Sequence, residues 1–235
     1  MQRVLRNVLR FPKRTWKGIR QISDPTYRFQ RAADRVVPGW WAEPLYRQLL
    51  TLPGFTSRAE LHLLVYLASL APQQGVWVEI GAYKGRSTAW LIEAAQRMPH
   101  RPRVVSIDPH ARDTWEPYSE VVRQFRLDKR GLETCRDFSS TVGQAWNRPI
   151  AYLWIDGSHH YPDVVQDIDL FVPHVVPGGY IVFDDAHGGN FPGVEQALRE
   201  RMFPRPEVDH LGTLRHFEIF QKKPLINTLE PGCPV

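Results

Sequence analysis

The chain has 235 residues, of which 43% are hydrophobic and 11% aromatic, and its formal net charge is +5. This composition supplies a folded core and excludes a disordered profile, and the length predicts one domain of roughly 170–200 residues plus a tail. No apolar run approaches the roughly 20 residues that span a bilayer, which argues against a transmembrane helix.

The basic charge is concentrated at the N-terminus. Residues 1–35 carry ten Lys or Arg against two acids, whereas the other 200 residues carry 20 basic and 23 acidic side chains. Apolar residues interleaved with arginines over 4–11 predict a short amphipathic helix that Pro12 ends. Two roles stay open for residues 1–20: peripheral contact with an anionic membrane surface, or packing on the domain or a second copy. Nucleic-acid binding is not expected, because the remaining chain offers no basic patch.

The cysteine content points to a reducing compartment. The two cysteines, Cys135 and Cys233, do not suggest a disulfide framework, and we interpret both as free thiols. The N-terminus also lacks the apolar block of a secretory signal. We therefore expect a cytoplasmic protein, with the inner membrane surface as an option for the basic arm.

The pattern of elements predicts three segments: a basic arm and helical cap over 1–56, a domain over 57–221, and an extended tail over 222–235. A short helix is predicted at 43–50, a capping box at Ser57–Glu60 opens the next helix, and the Pro-Gly-Gly segment at 177–179 predicts a turn. Short apolar runs at 76–80, 103–107, 132–138, 150–155 and 180–183 alternate with helical periodicity, and a hairpin closes the domain around Gly212 and Thr213. This order predicts an α/β fold: a Rossmann-like, doubly wound, mostly parallel seven-stranded sheet with an antiparallel C-terminal hairpin strand.

Residues 150–187 form one predicted βαβ unit. Its first strand ends at Asp156 and its second at Asp184 and Asp185, and histidines follow at 159, 160 and 187. Parallel strands bring their carboxyl ends to one edge of a sheet, where ligands bind in open α/β folds. The sequence therefore predicts that these carboxylates and imidazoles share one site.

A glycine-bearing turn follows the first predicted strand. The spacing Gly81-x-x-x-Gly85 differs from both the dinucleotide fingerprint and the phosphate-binding loop. Glu79 would repel a pyrophosphate but suits a ligand that carries a cation or an amine. Asp108 ends the second strand 27 residues after Gly81, a position that commonly accepts hydrogen bonds from ribose hydroxyls.

Together these turns resemble those of class I S-adenosylmethionine-dependent methyltransferases. The elements Ile-Asp-Gly-Ser-His-His-Tyr (155–161) and Pro-Gly-Gly-Tyr-Ile-Val-Phe-Asp-Asp (177–185) resemble those of bacterial natural-product and sugar O-methyltransferases, the type called methyltransferase domain 24. The resemblance covers about residues 57–220 and implies a hydroxyl of a sugar, glycan or natural product as acceptor. Homo-oligomers are frequent among such proteins.

The resemblance also implies roles for individual residues. S-adenosylmethionine would contact the following set: Glu79, Gly81, Ala82, Tyr83, Gly85, Ser87, Asp108, Phe138, Ser139 and Asp156. Mg²⁺ would be held by Asp156, Asp184 and Asp185, and His159 would be the general base, with Asp156 beside it. Many relatives have His-Asp where this chain has Asp184-Asp185, and not all of them bind a metal.

The residues alone make this chemistry coherent. A hydroxyl needs a base or a divalent cation to attack a methyl sulfonium, and three carboxylates at one edge need a cation, protons or hydrogen bonds to coexist. Oxygen ligands favour Mg²⁺ or Mn²⁺ over Zn²⁺. Two alternatives stay open: a non-heme iron hydroxylase using histidines beside Asp156, and a non-catalytic protein that keeps the cofactor pocket. A nicotinamide dehydrogenase is disfavoured by the glycine spacing and by Glu79.

Overall fold

The computed structural model describes residues 25–111, 113–187 and 189–224. Its seven strands are β1 (Val76–Ile80), β2 (Val104–Ile107), β3 (Leu132–Cys135), β4 (Ile150–Ile155), β5 (Val175–Phe183), β6 (Val208–Leu214) and β7 (Phe217–Lys222). Its α-helices are α1 (Pro25–Val36), α2 (Glu43–Thr51), α3 (Arg58–Ser69), α4 (Arg86–Ala95), α5 (Trp115–Phe125), α6 (Ser139–Gln144), α7 (Tyr161–Phe171) and α8 (Pro192–Ala197), the last continued by a π-turn over Leu198–Met202.

All seven strands lie in one sheet in the order β3-β2-β1-β4-β5-β7-β6. Strands β1 to β5 pair in parallel, and β7 pairs antiparallel with both β5 and β6. Each sheet face covers its own apolar cluster: one packs against helices α1 to α5, the other against α7 and α8. The predicted doubly wound, mostly parallel sheet with an antiparallel C-terminal hairpin is confirmed.

The backbone ladder continues one residue past each central strand. The N–H groups of Gly81, Asp108, Asp156 and Asp184 donate to the carbonyls that end the neighbouring strands, at 2.8–3.1 Å. These four residues therefore lie in register at the carboxyl edge of the sheet. Strand pairing alone brings together turns that are up to about a hundred residues apart in the chain.

The closing hairpin differs from its prediction. Gly212 and Thr213 do not form the turn; they lie within β6 and pair with Ile219 and Glu218. The turn is formed by Arg215 and His216, and Arg215 adopts the left-handed φ of 58° that a tight two-residue turn requires. Gly212 instead follows a register shift in β6, a position where glycine is also common.

Two strand boundaries also differ. β3 ends at Cys135 rather than at 138, because Ser139 already begins α6. β5 begins at Val175, so the Pro-Gly-Gly segment, which we predicted as a turn, lies within the strand. Ile150 pairs with Val175 and Tyr152 with Tyr180, so this segment forms an irregularity in the ladder and absorbs three extra residues.

The N-terminal helices pack on the sheet domain. The predicted capping box opens α3: the Glu60 carboxylate accepts from the Ser57 N–H at 2.7 Å, and Ser57 Oγ accepts from the Glu60 N–H. α2 matches the predicted helix at 43–50, whereas α1 lacked a prediction. The predicted basic helix at 4–11 lies outside the described residues. Within the described ranges, the helices are too short or too polar to cross a bilayer.

Candidate active site

The turn after β1 lies directly against the turn after β4. A Cβ on Gly81 would fall 2.0 Å from the backbone carbonyl oxygen of Asp156 and 2.8 Å from Cα of Gly157, and Gly81 has φ of 90°. Only glycine fits this position, because both the contact and the backbone angle exclude a side chain. Tyr83, two residues on, has φ of 49°, so the same turn holds a second left-handed residue without a glycine.

Glu79 lies fully buried on β1 behind this turn. Its Oε2 accepts hydrogen bonds from Thr88 Oγ1 at 2.5 Å and Ser106 Oγ at 2.9 Å, while Oε1 is buried with no described partner. Burial raises the pKa of Glu79 to about 7, although hydrogen bonds from Ser87, Thr88 and Ser106 oppose that shift. A buried acceptor atom without a donor suits a ligand ammonium group, as the predicted contact with S-adenosylmethionine requires.

The Asp108 carboxylate holds the glycine turn together. Its Oδ2 accepts from the N–H groups of Ala82 at 2.9 Å and Tyr83 at 2.8 Å, and its Oδ1 accepts from the His110 N–H at 2.6 Å. Asp108 thus connects the turn after β1 to the turn after β2. The predicted contact with ribose hydroxyls stays a prediction, and the carboxylate oxygens would share their remaining lone pairs with that ligand.

The other residues predicted to contact the cofactor lie around the same edge. Gly85 caps α4 with φ of 85°, and a Cβ there would approach Tyr118 at 3.2 Å. Ser87 is buried in the first turn of α4. Phe138 precedes α6 with 63% of its side chain exposed, and Ser139 begins that helix. The exposed phenyl ring is available to an adenine, and this contact stays a prediction.

Three side chains converge beyond β4 and β5. Within the described residues, Asp156, His159 and Asp185 form the one group whose potential metal-ligand atoms all lie within 4.8 Å of one another. His159 Nε2 lies 3.1 Å from Asp185 Oδ2, and Asp185 has a left-handed φ of 53°. A non-glycine residue held in this region is a mark of functional sites.

This group differs from the predicted metal set in one member. Asp184 uses Oδ1 to accept the N–H of Asp185 at 2.7 Å, and His159 occupies the third position instead. Asp184 still lies close by, because it lines a small cavity of about 10 Å³ together with Asp156 and His159. That volume is about one water molecule or one ion.

The carboxylates of this cluster repel one another. Burial, followed by the charges of Asp184 and Asp185, raises the pKa of Asp156 well above its usual range. Burial raises the pKa of Asp184 to about 7; the hydrogen bond from the Asp185 N–H opposes that shift, and the charge of the Asp185 carboxylate adds to it. Such a cluster is favoured by bound protons or by a divalent cation; the carboxylate oxygens suit Mg²⁺ or Mn²⁺, whereas the imidazole suits Zn²⁺ or Fe²⁺.

His159 is held by its surroundings on two sides. The Phe191 ring lies against the imidazole with centroids 3.9 Å apart, and a Cβ on Gly193 would fall 2.5 Å from the His159 carbonyl oxygen. The other two histidines do not join the cluster, since His160 is exposed and His187 pairs with Glu218. The geometry therefore lacks the second imidazole that the predicted iron-hydroxylase alternative requires near Asp156.

Two buried acids near the site were missed by the sequence reasoning. Glu60, interpreted only as a helix cap, raises the pKa of both Asp156 and Asp184 through its charge. Asp167 on α7 is buried with Oδ1 unpaired among the described residues, and burial raises its pKa to about 6 despite a hydrogen bond from Ser139. In the sequence, both acids fall among the apolar positions of a predicted helix, and that pattern could have indicated that they are buried.

Comparison with known proteins finds a match over the segment that contains this site. A family model described as a methyltransferase domain matches residues 78–186, the segment that contains β1, the glycine turn and the Asp156 cluster. Among solved structures, the O-methyltransferase TomG of Streptomyces achromogenes, involved in tomaymycin synthesis and solved with S-adenosylmethionine, superposes with a TM-score of 0.58 at 20% identity, covering 78% of this chain and 91% of TomG.

A second structure and one relative extend the comparison. An O-methyltransferase of Bacillus cereus, solved with S-adenosylhomocysteine, superposes with a TM-score of 0.60 at 17% identity, covering 83% of this chain and 96% of that one. The uncharacterized protein R132 of Acanthamoeba polyphaga mimivirus is 27% identical over 139 residues, which is 56% of this chain and 61% of R132. This chain thus matches less than two thirds of that relative.

The sheet order, the glycine turn and the acidic edge define an α/β protein with the methyltransferase fold. A family model for a methyltransferase domain matches residues 78–186, just under half of the chain, and solved O-methyltransferases share this fold.

Proposed function

We propose that the protein transfers the methyl group of S-adenosylmethionine to a hydroxyl of a sugar, glycan or natural product, with help from a divalent cation such as Mg²⁺. The observation that carries this proposal is the convergence of Asp156, His159 and Asp185 at the sheet edge that also holds the glycine turn. A buried carboxylate cluster with raised pKa values is a frequent feature of catalytic sites.

The chain supplies the parts of the reaction as follows. A cation bound by Asp156 and Asp185 would lower the pKa of the acceptor hydroxyl. His159 takes the hydroxyl proton at an imidazole nitrogen, and Asp185, 3.1 Å away, stabilises the resulting imidazolium. Phe191 holds the ring plane of His159. The remaining contribution is positioning of acceptor and donor, which is typically large for group transfer.

The position of His159 fits two roles, metal ligand and proton acceptor. An imidazole nitrogen bound to a metal has no lone pair for a proton, so one nitrogen cannot serve both. We assign the proton to His159 and the cation to the carboxylates, because Asp184 lies beside the cluster and offers a further oxygen ligand.

The test is calorimetric titration of the purified protein. S-adenosylhomocysteine should bind with micromolar affinity, and Mn²⁺, used as a probe of the Mg²⁺ site, should release heat that disappears in Asp185→Asn but remains in the exposed control Asp128→Asn. Absence of S-adenosylhomocysteine binding would contradict the methyltransferase assignment. Retention of the Mn²⁺ signal in Asp185→Asn would contradict the cation site alone.

A further inference from the structure

A second, larger cavity lies between the N-terminal helices and the β6–β7 turn. It has a volume of about 530 Å³, and its lining includes Tyr46 of α2, Arg58 and His62 of α3, Asp34 of α1 and Arg215 of the turn. Cavities of this size hold small-molecule ligands. Neither the residues predicted to contact the cofactor nor the proposed chemistry accounts for these side chains.

The wall of this cavity is joined to the catalytic cluster through the β6–β7 turn. Arg215 precedes His216, whose carbonyl oxygen accepts the N–H of Ala186 at 3.0 Å. Ala186 directly follows Asp185, so the turn that supplies Arg215 also contacts the segment that carries one of the catalytic carboxylates.

The two arginines are the cations of this cavity. Neither Arg58 nor Arg215 has an ion-pair partner among the described side chains, although many other arginines of the described chain pair with acids. The single acid in the lining, Asp34, already holds His62 Nδ1 at 2.8 Å. A cavity wall with two unpaired guanidinium groups favours an anion, and their planar forks match the oxygens of a phosphate.

The remaining wall is fixed by a buried network. His62 Nε2 lies 2.7 Å from the Tyr46 hydroxyl, so the chain Asp34–His62–Tyr46 joins α1, α2 and α3. Burial lowers the pKa of His62, which keeps the ring neutral and able to accept the Tyr46 proton. The tyrosine oxygen is thereby held at the cavity wall, where it offers a further polar contact to a ligand.

We infer that this cavity binds a phosphate group of the methyl acceptor, through Arg58 from α3 and Arg215 from the β6–β7 turn. The inference rests on the proposed function and narrows it, because the acceptor becomes a hydroxylated molecule that carries a phosphate. Two guanidinium groups match the charge of a phosphate dianion better than that of a single carboxylate.

The experiment uses inorganic pyrophosphate as the probe. It is titrated by calorimetry into the full-length protein saturated with S-adenosylhomocysteine, in EDTA, so that the cofactor pocket and any metal site cannot contribute. We expect measurable binding that weakens at least tenfold in Arg58→Gln and in Arg215→Gln. The matched control is Arg97→Gln, an exposed arginine just beyond the far end of α4, which should bind as the wild type does.

The outcomes separate the two levels of the proposal. The melting temperature and the affinity for S-adenosylhomocysteine should stay unchanged in all three variants. If S-adenosylhomocysteine does not bind the wild type, the proposed function itself is wrong. If the cofactor binds but pyrophosphate does not, or if both cavity variants bind it like the control, the phosphate site is wrong. Pyrophosphate bound to the basic N-terminal arm, rather than in the cavity, would bind both cavity variants and the control equally. Tighter binding of malonate than of pyrophosphate would overturn phosphate in favour of a carboxylate.

Discussion

Gly81 and Asp156 meet backbone to backbone, with a Cβ at position 81 falling 2.0 Å from the Asp156 carbonyl oxygen. The contact joins the cofactor-side turn to the catalytic-side turn, so the two halves of the site cannot move independently at this point. Neither partner in the contact is a flexible side chain, and a clash could be relieved only by moving a strand end.

Gly81→Ala should therefore damage both folding and binding. We expect a loss of at least ~3 kcal/mol in the free energy of unfolding, because a left-handed backbone angle and a backbone clash coincide. Urea unfolding and S-adenosylhomocysteine titration measure the two effects. Gly39→Ala is the control, since a Cβ there meets nothing within 4 Å. Equal stability of the two variants would show that the turns are not locked together.

Glu79→Gln tests the buried acid behind the turn. The folded-state pKa of Glu79 is raised from 4.5 to about 7, so the folded state binds its proton more tightly than the unfolded state. The stability of the cofactor-free protein should fall as pH rises between about 4.5 and 7, by up to about 3 kcal/mol from this group, and should change no further above that window.

The measurement is urea unfolding of wild type and Glu79→Gln at pH 5 and pH 8. The variant should lose less stability than the wild type between these two pH values, because it has no proton to release at position 79. Asp156, Asp184 and Asp167 remain in both proteins, so the difference reports Glu79 together with the effect of its charge on the pKa of Asp156. An identical pH dependence would contradict the raised pKa.

Asp108→Asn tests the link between the turns after β1 and β2. The amide side chain can accept only through one oxygen, whereas Asp108 accepts three backbone N–H groups through two. We expect at least a tenfold loss of S-adenosylhomocysteine affinity and a destabilisation of about 1–3 kcal/mol. The exposed Asp128→Asn variant should behave as the wild type. Unchanged affinity would remove Asp108 from the cofactor site.

His62→Ala tests the network that fixes the N-terminal helices. Removing the imidazole leaves Asp34 and Tyr46 without their shared partner and opens a space in a buried position, which should cost about 2–4 kcal/mol. Tyr46→Phe removes only one of the two hydrogen bonds and should cost about 1 kcal/mol. Thermal unfolding separates the two, and a larger loss in Tyr46→Phe would contradict the central place of His62.

The sequence alone determined the sheet and its edge. Short apolar runs separated by helical periodicity define parallel strands, and parallel strands must bring Gly81, Asp108, Asp156 and Asp184 to one edge. The Ser57–Glu60 capping box was equally readable, because both of its bonds are local. These features depend on periodicity or on contacts within four residues, which a linear pattern records.

Tertiary structure decided what depends on contacts between distant segments. The hairpin turn was predicted at Gly212–Thr213 but lies at Arg215–His216. β7 pairs with both β5 and β6, and Gly212 lies within β6, next to a register shift. His159 rather than Asp184 joins Asp156 and Asp185 in the tight cluster, while Asp184 Oδ1 accepts the Asp185 N–H. Arg58 and His62 lie more than 150 residues before Arg215 in the chain, and they become neighbours because α1 packs against both α3 and β6.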